Sequence, residues 1–123
     1  MALEPVLIVD DNPANLKLLR VLLSGEGYTV RTASTAEEAQ ALLKEFQPQL
    51  ILMDIQLPCM DGLELTRRLK EDPSTGGILV VAITAYAMSG DEDKAKAAGC
   101  DAYVAKPVDT RALPLLLRKL LDA

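Results

Sequence analysis

Carboxylates, a hydroxyl and an ammonium group lie at the ends of apolar segments of this sequence. Asp10 and Asp11 follow the run VLIV, and Asp54 follows the run LILM. Thr84 ends the run ILVVAIT, and Lys106 follows the run AYVA. The chain has no histidine, which excludes serine-histidine-aspartate catalysis, cysteine-histidine catalysis and histidine-ligated zinc. Chemistry in this chain must therefore use carboxylates, hydroxyls and lysine.

The three acids are expected to meet if the apolar runs are parallel strands of one sheet. In such sheets ligands bind beyond the carboxyl ends of the strands, where the strand order reverses. Asp10, Asp11 and Asp54 would then share one crevice. Like charges this close disfavour joint ionisation, so the cluster either shifts its pKa values or binds a cation. Mg²⁺ fits, because it takes one or two carboxylates and keeps several waters.

Thr84 and Lys106 complete a set that suits phosphoryl transfer. A metal and a lysine would neutralise the phosphoryl oxygens while a carboxylate attacks phosphorus. Taken singly, a strand-terminal Asp or Thr is usually a cap or turn residue, and a single Lys is usually solvated. Their occurrence at four strand ends of one predicted sheet favours the functional interpretation.

Regular alternation of strand-like and helix-like segments predicts the scaffold that would position these groups. The predicted strands are Pro5–Asp10, Tyr28–Ala33, Leu50–Met53, Ile78–Thr84 and Ala102–Lys106. The predicted helices lie within residues 12–27, 34–46, Leu63–Lys70, 85–100, where Gly90 interrupts the pattern, and 110–121. Five strands alternating with five helices indicate βαβ units and a parallel sheet covered on both faces. We expect one domain over residues 1–123, an α/β flavodoxin-like doubly wound sheet with strand order 2-1-3-4-5. Periodicity alone does not exclude the dinucleotide-binding order.

Local signals define two of the helices more closely. Pro13 is placed in the first turn of the first helix, and Gly25 and Gly27 mark its end. The spacing of its apolar residues predicts an inward face formed by Leu16, Leu19, Val21 and Leu23. The second helix is predicted to be capped by Ser34 or Thr35 and ended by Pro48.

Composition excludes several classes of protein. The 123 residues are 50% hydrophobic and 25% charged, a globular composition. A net charge of −5 disfavours direct binding to nucleic acid. There is no apolar run of transmembrane length and no basic segment typical of a signal peptide, so we expect a cytoplasmic protein without membrane insertion. Cys59 and Cys100 form no CxxC motif and are interpreted as packing residues of a reducing compartment.

Over residues 5–121 the chain resembles the receiver domains of two-component response regulators. The resemblance rests on VDDN (Val9–Asn12), LILMDIQLPCMDGLEL (Leu50–Leu65), AITAYA (Ala82–Ala87) and GCDAYVAKP (Gly99–Pro107). It implies that Asp54 accepts a phosphoryl group from the phosphohistidine of a partner histidine kinase or histidine phosphotransfer protein. The chain would catalyse only its own phosphorylation and dephosphorylation, and it would not otherwise be an enzyme.

The resemblance also implies a metal site and its ligands. Asp11, Asp54 and the backbone carbonyl of Gln56 would ligate Mg²⁺, for which Mn²⁺ can substitute, and Asp10 would act through water. Thr84 would bond the phosphoryl oxygens and Lys106 would pair with them.

A conformational switch is implied as well. Thr84 moving towards the phosphoryl group would let Tyr103 turn inward and alter the surface of helix 4, strand 5 and helix 5, where a downstream protein binds. Gln56 and Tyr86 border the phosphoryl group and would tune its lifetime.

The alternative functions differ in whether the domain stands alone or belongs to a larger kinase, and in whether Asp54 is phosphorylated, is a hydrolytic nucleophile or does not react. The favoured interpretation is a stand-alone regulator, similar to single-domain cell-cycle regulators, and the alternative is the receiver segment of a hybrid histidine kinase. A Mg²⁺-dependent phosphohydrolase with an Asp nucleophile needs a second acid two residues later, where this chain has Gln56. A receiver that is never phosphorylated is disfavoured by the intact set of Asp10, Asp11, Asp54, Thr84 and Lys106.

Overall fold

The computed structural model describes residues 5–54, 62–84, 91–105 and 109–122. The strands are β1 (Pro5–Val9), β2 (Thr29–Ala33), β3 (Leu50–Asp54), β4 (Leu79–Thr84) and β5 (Ala102–Ala105). The helices are α1 (Pro13–Gly25), α2 (Ala36–Leu42), α3 (Gly62–Glu71), α4 (Asp91–Ala98) and α5 (Ala112–Asp122). Most predicted boundaries lie within two residues of these limits, and Gly90 lies outside the described residues.

The strands form one parallel sheet in the order β2-β1-β3-β4-β5, which confirms the predicted flavodoxin-like fold. Successive side chains of the central strands point to opposite faces. On one face Leu7 and Ile51 pack against α2 and α3, and on the other Ile8 and Leu52 pack against α1 and α5. The central strands are therefore buried on both sides, as the uninterrupted apolar runs indicated.

Helix α1 confirms most of the predicted inward face but not Val21. Leu19 and Leu23 are buried against the sheet, and Leu16 is partly buried. Val21 is 60% exposed, so its predicted place in the core is wrong. Since each residue of a helix advances about 100°, Val21 lies about 200° from Leu19 and points away from the sheet. Pro13 begins the helix, as predicted.

Helix α2 begins as predicted and ends earlier than predicted. Thr35, one of the two predicted caps, accepts a hydrogen bond from the Glu38 amide at 3.0 Å. The helix ends at Leu42, so the prediction that Pro48 ends it is wrong. After Leu42 the backbone tightens into hydrogen bonds between residues three apart, such as that from the Glu45 amide to the Leu42 carbonyl, and the Phe46 amide makes a last bond to the same carbonyl. The regular helix has therefore ended before the proline is reached.

Candidate phosphoacceptor and metal site

Three carboxylates converge where the strand order reverses. Asp10 and Asp11 follow the last residue of β1, and Asp54 is the last residue of the adjacent strand β3. One carboxylate oxygen from each of the three lies within 4.8 Å of the others. Asp10 is 1% exposed and Asp54 is 3% exposed, whereas Asp11 is open to solvent. The structure therefore brings together the three acids that the sequence analysis placed in one crevice.

The turn from β1 into α1 holds the first of these acids in place. The Asp10 amide donates to the Ala33 carbonyl at 3.1 Å, which prolongs the pairing of β1 with β2 by one residue. One Asp10 carboxylate oxygen accepts from the Asn12 amide at 2.9 Å. The Asn12 side chain in turn caps α1 by accepting from the Ala14 amide at 2.9 Å. The sequence analysis missed this role, which an Asn directly before a Pro at a helix start could have indicated.

The spacing of the three carboxylates fits a small divalent cation. Oxygens on opposite sides of an octahedral Mg²⁺ lie about 4.2 Å apart, twice the Mg–O distance, and adjacent ones lie closer. The observed separations need little adjustment to reach this range. Two of the acids are buried, and nearby like charges without a counterion are costly in a poorly solvated site. Asp10, Asp11 and Asp54 therefore fit Mg²⁺ in both distance and charge.

The strand ends beside Asp54 bring the backbone of Thr84 to the same edge of the sheet. Asp54 pairs in register with Ile83, and Thr84, the last residue of β4, pairs with Ala105, the last residue of β5. Lys106 follows Ala105 in the sequence and lies outside the described residues. Gln56, Cys59 and Tyr86 also lie outside them.

Tyr103, the aromatic residue of the predicted switch, is the second residue of β5. It is partly buried and lies in register with Ala82 of β4. It packs against Ala82 of β4 and against Ala95 and Ala98 of α4. A cavity of about 230 Å³ lies between α4 and β5 and is lined by Ala95, Lys96, Cys100, Asp101, Ala102 and Tyr103. Tyr103 is thus bordered by open space between α4 and β5.

Cys100 lies at the end of the α4–β5 turn and is half buried. Burial raises the pKa of its thiol, and a hydrogen bond with Thr66 opposes that shift to a smaller extent. Its contacts are with the cores on the α3 and α4 side of the sheet, in keeping with a packing role.

Among the helices of the described residues, none is both long and apolar enough to cross a membrane.

Fold and site together define a receiver-type α/β protein with an acidic crevice at the switch point of its sheet. Residues 6–118 match the sequence profile of the response regulator receiver domain, so the chain belongs to this family, as the resemblance predicted. It is 51% identical over 106 residues to the polar-differentiation response regulator DivK of Brucella ovis, a match that covers 85% of each chain.

Solved structures show the same architecture. A CheY-like response regulator receiver domain protein from Methanospirillum hungatei superimposes with a TM-score of 0.90 at 36% identity, over 98% of this chain and 95% of the other. The receiver domain of a Pseudomonas aeruginosa sensor histidine kinase superimposes with a TM-score of 0.90 at 30% identity, over 99% and 100% of the two chains. That structure has a magnesium ion coordinated in the active site cleft.

Proposed function

We propose that this chain is a phosphoaccepting signalling module whose acceptor is Asp54. The observation that carries the proposal is the convergence of buried Asp54 with Asp10 and Asp11 at the switch point of the sheet. A structural strand-end cap would need neither burial nor two further acids beside it. The donor proposed from membership in the receiver family is the phosphohistidine of a partner kinase or phosphotransfer protein. The sequence has no histidine that could carry the phosphoryl group itself.

The transfer exchanges one bond to phosphorus for another. A carboxylate oxygen of Asp54 attacks the phosphorus atom, forming an O–P bond while the N–P bond of the phosphohistidine breaks. The bonding electrons return to the imidazole nitrogen, which takes a proton from solvent. Water later attacks the same phosphorus atom, breaks the O–P bond and restores the carboxylate, with release of phosphate. The chain thereby catalyses only its own modification and its reversal.

Asp10, Asp11 and Asp54 are the described residues that would hold Mg²⁺, with the Gln56 carbonyl as a further ligand and Asp10 acting through water. When bound, Mg²⁺ neutralises charge that builds up on the phosphoryl oxygens. Thr84 is the last residue of β4, and Lys106 follows the last residue of β5 in the sequence. Both would bind the same phosphoryl oxygens. Gln56 and Tyr86 tune the lifetime of the acyl phosphate.

The output is a change in the surface formed by α4, β5 and α5. Phosphorylation adds charge at Asp54, Thr84 moves towards it, and Tyr103 turns inward beside the cavity that it lines. A downstream protein binds the altered surface. The proposed unit is a stand-alone regulator of one domain, and its support is the 51% identity over 106 residues to the DivK response regulator.

The test is incubation of the purified chain with acetyl phosphate and Mg²⁺, followed by intact mass spectrometry. We expect a mass increase of one phosphoryl group that requires Mg²⁺ and does not form in the presence of excess EDTA. A folded chain that gains no mass would contradict the proposal. Continuous turnover of an added phosphate ester would favour the phosphohydrolase instead.

The outer face of α1 fits the protein that delivers the phosphoryl group. Leu18 and Val21 are 47% and 60% exposed and lie three residues apart on that face. Lys17 and Arg20 border them, and α1 contains no acidic residue although the chain as a whole is acidic. Because α1 begins directly after the acidic crevice, a helix bound along it lies beside Asp54. The donor surface is therefore proposed to be an apolar helix face bordered by acids.

Val21→Asp is expected to slow transfer from a protein donor about tenfold or more, since an apolar interface contact becomes a charge. Its rate of phosphorylation by acetyl phosphate should not change. The donor is a purified histidine kinase of the source organism that phosphorylates the unaltered chain. Leu115→Asp, at a leucine of α5 that is 73% exposed, is the matched control and should leave both rates unchanged. The proposed docking face would be contradicted if Val21→Asp and Leu115→Asp slowed transfer from the kinase equally. It would also be contradicted if Val21→Asp slowed phosphorylation by the kinase and by acetyl phosphate equally.

A further inference from the structure

A clasp of Lys70, Gly99 and Asp101 joins the end of α3 to the start of β5, at the edge of the sheet opposite the acidic crevice. The Lys70 ammonium group lies 2.9 Å from an Asp101 carboxylate oxygen and donates a hydrogen bond to the Ile78 carbonyl at 2.7 Å. The two side chains are only 22% and 32% exposed. Neither residue belongs to the acidic crevice, although Asp101 also lines the cavity between α4 and β5.

Asp101 attaches the beginning of β5 to β4 at two points. Its amide donates to the Val80 carbonyl at 2.7 Å, and its carboxylate oxygen accepts from the Val80 amide at 2.8 Å. Val80 is fully buried, and the strand ladder begins one residue later, at Val81 and Ala102. The carboxylate thus satisfies a buried amide for which the ladder has no carbonyl. Lys70 holds the carboxylate in place and balances its charge.

The close approach of Lys70 depends on Gly99. This glycine has a φ of +104°, which other residues rarely adopt. A Cβ atom at this position would lie 2.9 Å from Cγ of Lys70, so the lysine stem crosses the turn where a side chain would otherwise stand. The turn between α4 and β5 is therefore shaped to admit the lysine.

β5 is an edge strand of four residues with a single neighbour, β4. Its residues are all only partly buried, with Ala102 and Val104 packed on the α1 and α5 side of the sheet and Tyr103 packed on the α4 side. This alternation favours the observed register with β4. The two bonds from Asp101 to Val80 fix the same register at the start of the strand.

We propose that Lys70 and Asp101 are positioning residues for phosphoryl transfer, because they set the register of β5 and so the position of Lys106. This inference rests on the proposed function, in which Lys106 pairs with the phosphoryl oxygens. Lys106 directly follows Ala105, the last residue of β5, in the sequence and lies outside the described residues. A slip of one residue would move the end of β5, from which the chain continues to Lys106, by about 3.3 Å and turn the side chains of the strand to the opposite face. Displacements of about 1 Å can already lower a rate on the order of 100-fold.

The test compares Asp101→Ala, Asp101→Asn and Lys70→Met with the unaltered chain. Phosphorylation by acetyl phosphate is measured at saturating Mg²⁺ and normalised to the folded fraction. We expect the rate of Asp101→Ala and Lys70→Met to fall about tenfold or more. Asp101→Asn should retain more activity, since its amide oxygen can still accept from Val80. Affinity for Mg²⁺ should not change, because the three acids belong to β1 and β3.

Amide hydrogen exchange gives an independent measure of register. Residues 102–105 should lose protection in Asp101→Ala and Lys70→Met, while the amides of β1 and β3 keep theirs. Arg67→Met is the matched control. It also removes a cation from α3, but it breaks an exposed pair with Glu64 whose side chains are 51% and 45% exposed. Its rate and exchange pattern should equal those of the unaltered chain.

Each outcome supports or rejects the inference. If the variants unfold more readily but react at the normal rate per folded molecule, the clasp is only structural and the inference fails. If Asp101→Ala does not fold, Lys70→Met and Asp101→Asn decide the question by the same readouts. If the unaltered chain takes no phosphoryl group, the proposed function fails and this inference fails with it.

Discussion

Asp54→Asn is expected to take up no phosphoryl group from acetyl phosphate under conditions that phosphorylate the unaltered chain fully. The side chain is 3% exposed at the end of β3, so an amide of the same shape fits the space. The amide lacks the anionic oxygen that must attack phosphorus, and it is a poorer ligand for a hard cation. Intact mass spectrometry with Mg²⁺ present measures the result. We expect complete loss of the adduct in a protein that remains folded.

Asp72→Asn is the matched control, because it makes the same substitution after α3. Asp72 accepts hydrogen bonds from the Ser74 amide at 2.9 Å and the Ser74 hydroxyl at 2.8 Å, and these lower the pKa of its carboxyl. That stabilising contribution is present above the usual pKa of aspartate and is lost as pH falls through the lowered value. The amide oxygen of asparagine can still accept, so the control should fold and form the adduct normally. An adduct on Asp54→Asn would show that another group is the acceptor.

The topology could be predicted because each of its determinants is local. Consecutive apolar residues identify strands buried on both faces, and β1, β3 and β4 are buried in this way. Alternation of strands with helices restricts the connections to right-handed crossovers. The acidic crevice follows from that topology, since Asp10, Asp11 and Asp54 need only lie at the ends of adjacent strands. The observed separation of less than 4.8 Å agrees with this reasoning.

The features that could not be predicted depend on contacts between distant segments. Lys70 and Asp101 are 31 residues apart, and no pattern in the sequence links them before α3 and β5 are placed side by side. The prediction that Val21 is buried was wrong for a different reason. An apolar residue on a helix indicates burial unless a partner protein requires it at the surface. Val21 is thus consistent with the proposed docking face, where sequence rules for a core residue do not apply.

Asp11→Asn is expected to be more stable than the unaltered chain without metal and less stable than it when Mg²⁺ is added. Without metal, the variant removes one of three neighbouring like charges. Two charges about 4 Å apart interact by about 1 kcal/mol in bulk water and by more in a partly buried site. Asp11 is exposed, so we expect the variant to be more stable by about 1 to 2 kcal/mol in EDTA. Urea unfolding followed by circular dichroism measures this difference.

With Mg²⁺ at 100 times its dissociation constant, the unaltered chain should gain about 2.7 kcal/mol of stability. If the lost ligand weakens metal affinity about 100-fold, the variant gains only about 0.4 kcal/mol under the same conditions. The unaltered chain then becomes the more stable of the two. Glu45→Gln removes an exposed acid after α2 and is the control, which should gain as much from Mg²⁺ as the unaltered chain. Equal gains in Asp11→Asn and the unaltered chain would show that Asp11 does not bind the metal.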